Sequence, residues 1–233
     1  MKGYAVYFDQ PVPYARAERI QDALVSARIA ESIPDTVLFL EHTPVVTLGR
    51  RRREEHLLVA PGELQAAGIE LYPSTRGGDV TYHAPGQLVL YPILRLGVQD
   101  HDAHGYLWNL EEIAIRTCAD FGVPAERVPG KSGAWTVAGK IAAIGFHLKR
   151  WVTVHGMSFN VDLDLDGYRH IVPCGLHGDP VCSLQSLLGD EAPSVREVRR
   201  RMKDHFEAIC GRRLDLCSPD QLPGSLARIW PEE

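Results

Sequence analysis

A chain of 233 residues, 45% hydrophobic and 24% charged, carries enough apolar material for a full core, which excludes long disorder, collagen-like repeats and coiled coil. Its 25 basic and 30 acidic side chains leave a net charge of −5, so no overall basic field is available to hold nucleic acid. Five cysteines, at 118, 174, 182, 210 and 217, make neither an even framework nor a CxxC pair, which points away from disulfides and zinc and toward a reduced, cytoplasmic setting. No signal-peptide core and no apolar run of about 18 residues is present, so a soluble chain without a membrane partner is expected.

In chain order, residues 3–8 read as a strand closed by Pro11 and Pro13, and 14–31 as a helix with Ile20, Ala23, Leu24 and Ala27 on one face. Strands follow at 37–40 and 45–48 around the His42-Thr43-Pro44 turn, then helical turns between 54 and 67 and a strand at 69–72. Residues 80–83 and 87–94 read as strands flanking Pro85-Gly86. A helix spans 103–121 with Leu107, Leu110, Ile113, Ala114, Cys118 and Phe121 inward. Segments 134–137, 140–148 and 152–163 are β-branched and read as a meander. Ser194 and Glu197 form a capping box for a helix carrying Val198, Met202, Phe206 and Ile209 and ending near Gly211. Strands grouped around a few helices predict an α+β fold, a mixed sheet packed with helices. One catalytic domain is expected over 1–233, with a core of about 1–188 and a helical extension of about 189–233.

Four clusters carry chemistry. In Arg76-Gly77-Gly78-Asp79-Val80-Thr81-Tyr82-His83 the glycines admit close backbone approach, and exposed N–H groups there can cradle an oxygen. The second is Lys140 in the small, apolar run through Ala143, Ile144 and Gly145. That lysine is either an edge residue reaching water or a partly buried amine suited to proton transfer. The third is His155-Gly156-Met157-Ser158, where a structural histidine is as good an account as a functional one. The fourth is Pro173-Cys174-Gly175, a turn where a sulfur can be presented as a nucleophile rather than packed, against the common alternative of an inert, buried cysteine. Asp162, Asp164 and Asp166 lack the spacing of a calcium loop and read as a solvated strand face ending in a turn. Neither a P-loop, a GxSxG elbow nor an HExxH pair occurs.

Together, RGGDVTYHAPGQLVLYP, GKIAAIGFHLKRWVTVHGMSFNVDLDLDGYRHIVPCGL and the earlier EHTPVVTLGR resemble the lipoyl(octanoyl) transferases of lipoate biosynthesis over residues 41–188. The resemblance implies the fold of the biotin and lipoate protein ligase catalytic domains. It also implies transfer of an octanoyl group from octanoyl-acyl carrier protein to a lysine of lipoyl domains, those of 2-oxoacid dehydrogenase complexes and the glycine cleavage H protein. Cys174 is then the acyl-thioester nucleophile and Lys140 the residue that lowers its pKa. Arg76, Gly77, Gly78, Asp79, Val80, Thr81, Tyr82, His83, Ala143, Ile144, Gly145, Gly156, Met157 and Ser158 line the acyl substrate, with no cofactor and no metal. Ala143 stands where many relatives carry serine and Cys182 where threonine is usual, so a side-chain hydroxyl contact at 143 is lost while backbone contacts survive.

The implied chemistry is self-consistent. A thiolate attacks a thioester, and a neighbouring ammonium favours that thiolate. Thioester exchange is nearly balanced and amide formation from a thioester is downhill, so no nucleotide is required. Residues 50–53, four consecutive arginines, are positioned to steer acidic carrier and lipoyl domains. The alternatives are an ATP-dependent lipoate or biotin ligase of the same fold, a non-catalytic acyl-carrier-binding module, and a thioesterase.

Overall fold

The computed structural model describes residues 2–97, 102–173 and 178–231. The chain begins with strand β1 (Lys2–Tyr7), helix α1 (Tyr14–Ile29) and strands β2 (Thr36–Leu40) and β3 (Val45–Leu48). A 3-10 turn (Glu54–His56), helix α2 (Pro61–Ala66) and strands β4 (Glu70–Pro73), β5 (Val80–His83) and β6 (Gln87–Ile93) follow. Helix α3 (Ala103–Asp120) leads to β7 (Glu126–Val128), β8 (Lys131–Thr136), β9 (Gly139–Lys149) and β10 (Val152–Asn160). Helices α4 (Leu184–Leu188) and α5 (Val195–Cys210), strand β11 (Arg213–Cys217) and the single turn α6 (Gly224–Ala227) complete it.

The described strands form two sheets. One has eight strands in the order β11-β1-β2-β6-β10-β9-β8-β7, with β11, β1 and β2 mutually parallel and every later pair antiparallel. The other is β4-β3-β5, mixed in the same way. This is the expected mixed sheet packed with helices.

Alternation along the central strands sorts their side chains to two faces. Val37, Phe39, Leu88 and Leu90 pack beneath α3 and α5 with Ile113, Met202 and Phe206. Leu38, Leu40, Val89 and Ile93 pack against Ile20, Leu24 and Val25 of α1. Helices on both faces explain why β2 and β6 are apolar at nearly every position. A third cluster, with Val46, Leu64, Val80, Tyr82 and Leu163, fills the space under the small sheet.

Some expectations are amended. Strand β10 stops at Asn160 rather than 163, because the N–H groups of Val161 and Asp162 both turn to the carbonyl of Gly86, at 3.1 and 3.0 Å. The aspartate run is therefore not a strand face: Asp164 caps the 3-10 helix Leu165–His170 by accepting from the Asp166 N–H. Only half of the capping box at α5 forms, with Ser194 Oγ accepting from the Glu197 N–H at 3.3 Å. Residues past 189 supply not only helix but also β11, which pairs with β1. Among the described residues no helix is long and apolar enough to cross a membrane.

Candidate active site

The glycine-rich loop before β5 is fixed by a cation that the loop itself consumes. Arg76 is buried, and its guanidinium donates to Thr47 Oγ1 (2.9 Å), the Thr47 carbonyl (2.7 Å), the Asp79 carbonyl (2.6 Å) and the Gly77 carbonyl (3.0 Å). Asp79 is also occupied. One carboxylate oxygen accepts from the Arg53 N–H at 3.0 Å, and the other holds His56 Nδ1. The 3-10 turn at His56 continues the chain of contacts, since its carbonyl accepts from the Val172 N–H at 2.8 Å. The loop is thereby tied to the segment that leads into residue 174.

Two glycines permit the loop to lie on the meander, and a third lets β10 close on β6. A Cβ at Gly77 would stand 2.6 Å from the Phe146 carbonyl oxygen, and one at Gly145 would stand 2.8 Å from that of Gly77. Gly156 faces Gly145 across the β9–β10 ladder, and a Cβ on it would meet the Leu90 carbonyl oxygen at 2.3 Å. Each contact is closer than any side chain allows, so backbone walls stand where side chains would fill the gap.

Those walls bound a narrow slot of about 30 Å³. Of the residues expected to line substrate, Arg76, Gly77, Gly78, Thr81, His83, Ala143, Ile144, Gly145, Gly156, Met157 and Ser158 surround it. Val80 and Tyr82 face the other way, into the core under the small sheet, because alternate residues of β5 point to opposite faces. Asp79 lines instead a wider chamber of about 530 Å³ that shares Gly77, Gly78, Ile144 and Gly145 with the slot.

Lys140 opens onto that chamber from the start of β9. It is 5% exposed, so the edge-lysine alternative does not hold. Its N–H donates to the Pro180 carbonyl at 2.9 Å and its carbonyl accepts from Cys182 N–H at 3.0 Å, which pins the backbone. The side chain passes the bare face of Gly133, where a Cβ would stand 2.8 Å from Cε, and carries Nζ to 5.1 Å from the Trp135 ring centre. A small cleft joins Lys140 to Thr81, Ala143, Asn160 and Pro173. Cys174, the expected nucleophile, lies outside the described residues. Cys182 is buried, with Sγ 3.3 Å from Thr136 Oγ1 and its thiol pKa raised by burial.

Behind the slot lies a set of imidazoles that local reading did not assemble. His83 Nδ1 donates to Gln87 Oε1 at 2.6 Å, and Gln87 Nε2 donates to Asn160 Oδ1 at 2.9 Å and Tyr168 Oη at 3.0 Å. Asn160 in turn donates to the Cys182 carbonyl. His42 donates from Nδ1 to the Val12 carbonyl and accepts from the Tyr91 hydroxyl, both at 2.8 Å. His155 holds a left-handed φ of 59° inside β10, and its N–H donates to Gln21 Oε1 at 2.9 Å. Burial is the leading cause of low basicity in all three: His42 falls to about 4, His155 to about 3 and His83 well below the usual imidazole range. His83 Nε2 and His155 Nδ1 have no hydrogen-bond partner among the described residues.

Val89, Tyr91 and His155 also line the slot but were not among the expected lining residues. The alternation of β6 carries a signal for the first two, since Val89 and Tyr91 share one strand face. Thr47, which holds Arg76, lies 29 positions away and has no local signal.

The family model described as the lipoyl protein ligase A/B catalytic domain matches residues 13–207. The octanoyltransferase of Syntrophotalea carbinolica is 46% identical over 198 residues, 85% of this chain and 90% of its own. That of Gloeobacter violaceus is 46% identical over 217 residues, 93% of each chain. Among solved structures, the bi-partite lipoate protein ligase of Thermoplasma acidophilum superposes with a TM-score of 0.76 at 16% identity, covering 99% of this chain and 91% of its own. The biotin protein ligase of Aquifex aeolicus with biotin and ATP gives 0.56 at 11% identity, covering 89% and 70%. With a match of this extent, the chain belongs to the lipoyl protein ligase A/B catalytic-domain family.

Proposed function

We propose that the chain is an octanoyltransferase of lipoate biosynthesis that works through a cysteine thioester. Cys174 Sγ attacks the carbonyl of octanoyl-acyl carrier protein, forming a new thioester and releasing the carrier thiol. The amine of a lipoyl-domain lysine then attacks that thioester, forming the amide and returning the Cys174 thiolate. Lys140 holds the thiolate by charge, gives a proton to the departing carrier sulfur in the first step and takes back the proton lost by the amine in the second. The acceptors are lipoyl domains such as those of the 2-oxoacid dehydrogenases and the glycine cleavage H protein, and the reaction belongs in the cytoplasm. The acyl chain enters beside Ile144 and Met157, where the narrow slot must widen to take it, and N–H groups of residues 143–145 stabilise the tetrahedral oxyanion.

The observation that carries this reading is the buried amine of Lys140, which shares a cleft with Pro173, the residue directly before Cys174 in sequence. Octanoyl transfer itself is supported by relatives named octanoyltransferase at 46% identity over most of the chain. Intact-protein mass spectrometry after mixing with octanoyl-acyl carrier protein tests it. The wild type should gain one octanoyl group and lose it on addition of a lipoyl domain, while Cys174→Ser should not pass the group on. Transfer that persists in Cys174→Ser with free octanoate and ATP would instead indicate a ligase.

A further inference from the structure

The wider chamber has a composition that an acyl chain does not need. Arg51, Arg53, Lys131 and Lys140 all contribute to its lining, against the acidic Asp79. Asp79 is taken up by the Arg53 N–H and His56, and Lys131 by Asp179 at 2.7 Å. The guanidinium groups of Arg51 and Arg53 are different: both residues are exposed, and neither has an ion-pair partner among the described residues. Next to them the N–H groups of Gly77 and Gly78 donate to no acceptor within the same set. The carbonyl of Gly78 accepts from the Arg51 N–H at 3.0 Å, so arm and loop are joined.

Two uncommitted planar cations beside two uncommitted amides suit a phosphate ester, which offers several acceptor oxygens to forked donors. We infer that this chamber binds the phosphate of a 4′-phosphopantetheine arm, with Arg51 and Arg53 as its specificity-determining contacts. The inference deepens the proposed function, in which the donor is a carrier-bound thioester. The arm is a chain of amides with sulfur at one end and phosphate at the other. It would run from the Lys140 side of the chamber to the arginine rim. Arg50 and Arg52, the alternate members of the run, line neither space.

Calorimetric titration of the full chain with 4′-phosphopantetheine, pantetheine and ATP tests this without any acyl transfer. The phosphorylated arm should bind the wild type about tenfold more tightly than pantetheine. The double variant Arg51→Ala/Arg53→Ala should erase that difference while Arg50→Ala/Arg52→Ala retains it, and added salt should narrow it. Equal affinity for the two arms in the wild type overturns the inference. So does a preference that survives in Arg51→Ala/Arg53→Ala, or tighter binding of ATP than of phosphopantetheine, which would assign the chamber to a nucleotide. Failure of the acyl-adduct experiment is a separate result and bears on the transferase reading instead.

Discussion

The slot and the chamber share a wall of Gly77, Gly78, Ile144 and Gly145, yet they are built on opposite principles. The slot is made by omission: glycines let backbone close on backbone, and the polar groups behind it are imidazoles held neutral by burial. The chamber is made by addition, with long cationic side chains around an open volume. A wall whose one large side chain is Ile144 keeps the two spaces close together.

Lys140→Ala cuts most deeply into the chamber side. Loss of the buried amine should lower the rate of acyl transfer about a thousandfold, with the donor KM changed far less, in steady-state kinetics. If KM rises and kcat holds, the lysine is a binding group and its assigned role is wrong.

Acid attacks the slot side. The folded-state pKa of His42, about 4, lies below its unfolded value near 6.5, so the unfolded chain binds the proton first. Its contribution is complete above about pH 6.5 and is lost as pH falls toward 4, roughly 3 kcal/mol from this one residue. His83 and His155 shift in the same direction. Urea unfolding midpoints at pH 7 and pH 4.5 measure the loss; a flat profile would mean that these imidazoles are not held neutral.

Met157→Ala is the mildest probe and touches the slot alone. Shortening this buried lining residue should move preference from octanoyl toward decanoyl donors by about tenfold, the worth of two methylenes. Competition between the two donors followed by mass spectrometry reads the ratio. An unchanged ratio would place the end of the acyl chain elsewhere.

Much of this arrangement is written locally. The strands Val45–Leu48 and Val80–His83 follow from short β-branched runs bounded by Pro and Gly. Strand β11 is not legible in the same way: RLDLC is short, with charges among its apolar residues, and its strand character comes from pairing with β1 more than 200 positions away. In the site, glycines and cations announced a loop that approaches something closely. Val80 and Tyr82 sit within that motif as written, but the pleat turns them into the core under the small sheet. The bonds of Arg76 to Thr47, and of His83 through Gln87 to Asn160, exist only once distant strands are neighbours.

Every nitrogen of the Arg76 guanidinium is already engaged with Thr47 or with carbonyls of its own loop. It is therefore a keystone: four of its five N–H donors hold the arch, while its charge, met there only by neutral acceptors, adds to burial in lowering the basicity of His83 and His155. Changes to the exposed arginine side chains outside leave these bonds alone, whereas a lysine at position 76, with one ammonium for those widely placed acceptors, would loosen slot and chamber together.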